Sequence, residues 1–407
     1  MNELEKLRHY RADITYFEES TDLCTLCPAI GASFYFDGGE TAEGKQRLAE
    51  CVDYYQQLFG KHLKAGLITD QNENGKEIQF SKKTPSPMEH FSKYSEDGCI
   101  EWVITGSPTL AVASPYWVET VTARKWEISV RQTKSFFQFS LPLSYVKEKK
   151  IFNDLFNFVV SKLNPTLAFA NAVTCLPYED YKWQFNEFDA LQRFYCLMPF
   201  RRNYFSMDRL GECINGVNWI TCLNKFHISQ LGGLDNIKNT LHHDFIKITN
   251  IGDNCLIKIG EYPNIAPVTE GIPPLYKMVS DFLRPIRVES LGSLHNGSLN
   301  GSINFDLRTT DLWLRRFDEP GIWPPYPDNI QFYGLGEADE VDAEEVEEMN
   351  NLLKQRTIAN SLCPQTGYWY TPAKQNSHAL FKQGELMPDF PASTYGATIW
   401  YWDANQE

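Results

Sequence analysis

Ala32-Ser33-Phe34-Tyr35-Phe36, closed by Gly38-Gly39 and followed by Lys45–Phe59, is the stretch that decides the fold. Its first part is a short aromatic run bounded by glycines, the pattern of a buried strand. In its second part Leu48, Cys51, Val52, Tyr55, Leu58 and Phe59 recur at three- and four-residue steps, so they share one face of a helix. The pairing returns further on: Ser135–Leu141 alternates, Glu148–Leu163 has helical spacing, and Thr166–Ala170 is extended. With a further strand at Ile100–Ile104, the chain reads as α+β, with mixed or antiparallel sheets, packed helices and two strand–helix halves.

Outward from that centre, Trp219–Leu223 is apolar, and Gly232-Gly233 stops one helix before another that runs through Leu241. Cys255–Gly260 reads as a strand, and Pro273–Pro285 as a helix started and stopped by proline. Residues 292–302 are rich in Gly, Ser and Asn, a loop composition. Past Asp318, four prolines (Pro320, Pro324, Pro325, Pro327) form a linker-like stretch, then an acidic helix is expected from Ala338 to Leu362. The end is rich in Trp and Tyr. The expected organisation is a body of residues 1–319 and a small aromatic-rich extension of residues 320–407, too aromatic to hang free.

The 407 residues carry 38 basic and 52 acidic side chains, a net charge of −14, and are 43% hydrophobic. That is enough apolar material for a sizeable core, and no run approaches the ~18–20 apolar residues of a membrane helix. Met1–Tyr10 is charged throughout and has no apolar signal core, so a cytoplasmic protein is expected. Ten scattered cysteines fit a reducing compartment. The acidic balance opposes nucleic-acid binding and favours a basic partner. With no heptad seam, a monomer is expected.

The candidate motifs divide sharply. Gly39–Lys45 matches the phosphate-loop spacing, but Gln46 stands where a hydroxyl would hold Mg²⁺, and Glu40 and Glu43 would repel phosphate. It reads as an ordinary strand-to-helix turn. Cys24 and Cys27 have zinc half-site spacing without a second pair, so they read as two thiols near a strand start. His242 and His243 are adjacent and point about 100° apart on a helix, so they cannot chelate together. Glu127–Arg131 is the nearest approach to an acid-bearing nuclease strand, yet it lacks the lysine that chemistry needs. No catalytic residue, metal ligand or cofactor site is assigned.

One run remains. Glu337, Asp339, Glu340, Asp342, Glu344, Glu345, Glu347 and Glu348 place 8 acids in 12 residues with no base. They suit the N-terminal half of a helix by its dipole, the favoured reading, with which a ridge presented to a basic cleft is compatible. Trp313–Phe317 and the tail residues Trp369, Trp400 and Trp402 could anchor a partner or pack the core.

Several short motifs occur in a familiar order: Gly216-Val217-Asn218-Trp219, Leu231-Gly232-Gly233, Ile257–Pro263, Pro274-Leu275-Tyr276, Leu283-Arg284-Pro285 and Trp313–Phe317. In that order, over roughly residues 20–318, the chain resembles the TsiV family of bacterial type VI secretion immunity proteins for VRR-Nuc toxins. The resemblance implies a cytoplasmic, non-enzymatic protein that binds a cognate DNA-cutting toxin and blocks its basic cleft, for which the acidic ridge is the candidate contact. A secretion adaptor or chaperone, or an enzyme or small-molecule-binding protein, is the alternative reading.

Overall fold

The computed structural model describes residues 1–178, 180–200, 212–297, 302–334, 354–391 and 398–404, with Asn351, Ser393 and Gln406. In chain order the strands are β1 Tyr16–Phe17, β2 Cys24–Phe36, β3 Ala65–Thr69, β4 Gly75–Gln79, β5 Glu101–Thr105, β6 Trp117–Val121, β7 Ser135–Leu141, β8 Leu167–Cys175, β9 Met198–Pro199, β10 Ile220–Leu223, β11 Ile246–Ile251, β12 Asn254–Ile259, β13 Arg356–Ile358, β14 Gly367–Tyr370, β15 Ala379–Phe381 and β16 Ile399–Trp402. The α-helices are α1 Glu3–His9, α2 Ala42–Phe59, α3 Pro87–Phe91, α4 Lys125–Arg131, α5 Lys149–Leu163, α6 Gln184–Arg193, α7 Lys225–Gln230, α8 Leu234–Thr240, α9 Pro274–Leu283 and α10 Leu307–Leu314. The chain is α+β.

One large sheet runs in the order β11-β12-β10-β8-β2-β7-β6-β5-β3-β4, with β1 paired to β2 and β9 to β8. Every pairing in it is antiparallel except β8 with β9. Its middle is β2, the strand that contains Ala32–Phe36, flanked by β7 and β8. Phe34 lies opposite Phe137 on β7 and Ala168 on β8, so a large neighbour stands on one side and a small one on the other. Ala168, Ala170 and Ala172 share that face by the two-residue period and leave room for the helices. Phe156 of α5 fills it, its ring 5.0 Å from Phe34, and Phe152 lies 5.7 Å from Phe139.

The two strand–helix units are β2–α2 and β7–α5; their strands are adjacent and their helices pack together. Beyond the helices the order differs. After α2 the chain crosses to the far strands β3 and β4 and works inward, whereas after α5 it starts at β8 and works outward. Both faces of the middle are covered, so β7 and β8 are buried along their whole length.

A second sheet, β13-β16-β14-β15, is formed by the tail. Trp369, Trp400, Met387 and Cys363 make its small core. Gly367 is required there, because any Cβ would collide with the Trp402 ring. The tail sits on the body: Ile399 joins the main core, the Arg356 guanidinium lies 4.7 Å from the Tyr54 ring centre, and Arg356 donates to Gln57 Oε1 at 2.7 Å. Tyr401 donates to Glu50, which is also the ion-pair partner of the buried Lys162.

Two local expectations are corrected. Glu127–Arg131 is helical, in α4, because Glu127 accepts from the Arg124 backbone N–H and side chain at the helix start, and Gln132 closes the end in the left-handed region. The helix expected over Ala338–Leu362 does not extend to Leu362, since from Arg356 the β-branched Thr357 and Ile358 pair with β16 as β13.

His227 on α7 is fully buried, and neither ring nitrogen has a hydrogen-bond partner among the described residues. Burial pulls its pKa down to about 4. The folded value lies below the ordinary ~6.5, so as pH falls the unfolded chain takes up the proton first. Stability is therefore full above about pH 6.5 and lost toward pH 4, by roughly 3 kcal/mol. His227→Leu is expected to flatten this part of a urea-midpoint curve measured from pH 7 to 4; an unchanged acid slope would contradict it.

Candidate functional site

The phosphate-loop match resolves into a helix cap. Thr41 Oγ1 accepts from the Gly44 N–H at 3.0 Å, starting α2. Lys45 is 1% exposed and donates to the carbonyls of Glu40 and Ser95 at 2.6 and 2.7 Å. Burial lowers its ammonium below the usual lysine range. A lysine committed to two backbone carbonyls holds no phosphate. Cys24 and Cys27 are free thiols, and Cys27 stands opposite Cys175 across the sheet. His242 and His243 lie exposed in the turn before β11. Among the described residues no group of three or more His, Cys, Asp and Glu side chains is placed to hold a metal.

The buried polar pair that most resembles an acid–base device was not visible in the sequence. Glu187 of α6 and His295 are both buried, with His295 Nε2 3.1 Å from Glu187 Oε2. His295 Nδ1 accepts the Phe305 N–H at 3.2 Å, which puts the ring proton on Nε2, facing the carboxylate. Thr174 donates to the other carboxylate oxygen at 2.7 Å. The pair is closed off from solvent and ties α6 to His295 and, through it, to the Phe305 backbone. Its members are 108 positions apart and carry no spacing signal.

Trp313–Phe317 is core. Trp313 and Phe317 are buried, and Arg316 stacks on Trp313 at 3.9 Å while donating to the Tyr195 carbonyl. Trp369 and Trp400 are buried in the tail sheet.

The acidic candidates Glu337, Asp339, Glu340, Asp342, Glu344, Glu345, Glu347 and Glu348 lie outside the described residues. Their flanks are firmly held. Upstream, the backbone N–H groups of Tyr333 and Gly334 donate to the buried Asp13, and Arg193 donates to the Gln331 carbonyl at 2.7 Å. Downstream, the Trp402 N–H donates to the Gln355 carbonyl at 2.8 Å. A cleft of about 430 Å³ opens where the tail meets α2 and α5, lined by Tyr54, Lys150, Asp154, Arg356 and Cys363 among others. Burial raises the Asp154 carboxyl to about 6 there, against the lowering effect of Lys150. Its size falls within the usual range of ligand sites, yet its charges are mixed.

The ordered glycines and prolines of the sequence take structural posts. Gly232 and Gly233 turn with φ 80° and 92° between α7 and α8, Gly260 ends β12 with φ 72°, and Pro274 starts α9. The sequence pattern of a known family, TsiV, described as type VI immunity for VRR-NUC, matches residues 47–317. The chain belongs to the TsiV family. Its fold is similar to that of the Pseudomonas aeruginosa T6SS protein PA0821, with a TM-score of 0.69 and 22% identity over 84% of this chain and 91% of that one. No curated protein sequence matches. The TsiV match starts within α2 and stops just after α10, so the central strand β2 and the whole tail sheet lie outside it. Among the described residues no helix is long and apolar enough to cross a membrane.

His295→Ala removes a donor from a buried carboxylate and is expected to cost about 3 kcal/mol. His295→Gln, which restores an N–H, should recover part of it. Urea unfolding of the three proteins checks this, and a loss below about 1 kcal/mol in the alanine variant would contradict it.

Proposed function

We propose that this TsiV protein binds a VRR-Nuc-type nuclease toxin delivered by a type VI secretion system and covers the toxin's basic DNA-binding cleft, one inhibitor to one toxin, with nothing turned over. The observation that carries the reading is the family match across residues 47–317, in a chain with a net charge of −14. A cleft that holds DNA is electropositive, and an acidic inhibitor is drawn to it by long-range attraction. The most catalytic-looking groups support a binder, since Lys45 and the Glu187–His295 pair are consumed by internal contacts. In this reading the protein works as a monomer in the cytoplasm, needs no cofactor, and touches neither nucleic acid nor membrane. Residues 1–319 form the immunity body and residues 320–407 the extension.

The acidic run from Glu337 to Glu348 is the proposed toxin contact, and the described residues before and after it are held at Asp13 and Gln355. Carboxylates in that run would occupy positions that phosphates take on the toxin. Reversal of Glu344, Glu345, Glu347 and Glu348 to lysine is expected to slow association about tenfold or more at low salt and to leave cells sensitive to the toxin. Stopped-flow association and a survival assay read the two effects. An unchanged on-rate with full protection would remove the run from the interface.

A further inference from the structure

The β1–β2 hairpin offers a second acidic element, and its residues are described. Tyr16 pairs with Leu26 and Phe17 with Cys24, with a register irregularity between them. At the tip the Glu18 N–H donates to the Leu23 carbonyl and the Asp22 N–H to the Glu18 carbonyl, both at 2.9 Å. Asp22 takes the left-handed conformation, φ 55°, that lets the chain reverse. Phe17 stands opposite Cys24, and beyond that pair the chain leaves both strands for the turn. Phe17 and Leu23 flank the turn at its two ends. They are 58% and 42% exposed. Tyr16 and Cys24 pack against the main core, so the body covers the stem while Phe17 and Leu23 stay in solvent beside the tip.

The charge of the tip is one-sided. From Thr15 to Thr25 the chain carries Glu18, Glu19 and Asp22 and no lysine or arginine. The base, by contrast, is fixed. Tyr16 donates its hydroxyl to Asp189 at 2.6 Å and accepts from Arg193 at 2.6 Å, and Asn186 donates to Thr25 at 3.1 Å. The Ala113 N–H donates to the Cys24 carbonyl at 2.9 Å. Past Cys24 the same strand becomes the buried middle of the large sheet. The tip is therefore presented on a rigid stem, and little ordering is left to do when it meets a surface.

We infer that the Glu18–Leu23 tip is a wedge that enters a concave, cationic groove on the toxin. Its carboxylates meet the side chains that otherwise hold DNA phosphate, and the exposed Phe17 and Leu23 pack against the groove beside them. A convex element with apolar flanks and an acidic point is complementary to a groove built for a polyanion. The inference rests on the toxin-binding function proposed above and adds a contact independent of the Glu337–Glu348 run.

Phe17→Ala and Glu19→Lys, made separately in the full chain, test it against the purified toxin by biolayer interferometry at low and moderate salt, with thermal melts as a control. Phe17 and Glu19 are exposed, so both variants should melt as the parent does. Phe17→Ala is expected to weaken binding about tenfold through a faster off-rate. Glu19→Lys is expected to lower the on-rate several-fold and to make it less sensitive to salt. If both variants bind within about twofold of the parent, the wedge is overturned while the toxin-binding function stands. If the parent itself does not bind, the function proposed above falls and the wedge falls with it.

Discussion

The structure depends on the burial of one strand on both faces. Every residue of β2 after Cys24 is buried, between β7 and β8 at its edges and between two layers of side chains above and below. This requires an unusual composition. Phe34 must meet a large ring on β7 and only an alanine on β8, so that α5 can settle over the sheet. On the other face Gly31 has no room for a Cβ, which would lie 2.7 Å from Val173 and 3.0 Å from Phe200. A side chain at Gly31 would push Phe200 and Val173 out of the packed layer, and overpacking of that kind destabilises a core. The hairpin tip, the helix layer and the tail seam all take their positions from this strand.

The tail extends the same logic. Lys162 and Glu50 form an ion pair on the helix layer with side chains 3% and 15% exposed. Tyr401 covers this pair, donating to Glu50 and placing its ring 5.9 Å from the Lys162 ammonium. Arg356 lies over Tyr54 beside it. A buried ion pair repays its desolvation only when further hydrogen bonds satisfy it, and the tail sheet supplies one. The extension is thus a lid on a polar seam of the body, held by aromatic and cationic contacts.

Much of this was legible in the sequence, and the boundary of legibility is physical. The units β2–α2 and β7–α5 are long and strongly periodic, so Phe34, Leu48, Val52, Phe139 and Phe156 announce their elements. Glu127–Arg131 misled because a five-residue alternation cannot distinguish a strand from one turn and a half of helix, and the deciding Arg124–Glu127 contact is a cap. The far end of the expected acidic helix misled because Arg356–Ile358 is strand only by virtue of β16, more than forty residues later. Gly39–Lys45 reads as a strand-to-helix turn from Gln46, Glu40 and Glu43, and α2 starts there on the Thr41 cap, though the two carbonyl partners of Lys45 could not be foreseen. Long-range polar partners such as Glu187 with His295 leave no trace in local spacing. The family motifs were readable because glycines with positive φ and helix-starting prolines must recur in order wherever the same turns recur.

In the function proposed for it, the protein acts through the charges its fold leaves outside. The core spends its buried polar groups on itself, in Lys45, in Glu187 with His295 and in Asp13 with the 333–334 backbone, while the net charge of −14 remains for the surface. The most direct measurement is a titration of the VRR-Nuc toxin's DNA cleavage with the purified full chain. The account predicts a straight fall to no cleavage at one equivalent, with a heterocomplex recovered by size exclusion. Cleavage at full rate in molar excess, or complete loss at a small fraction of an equivalent, would contradict it.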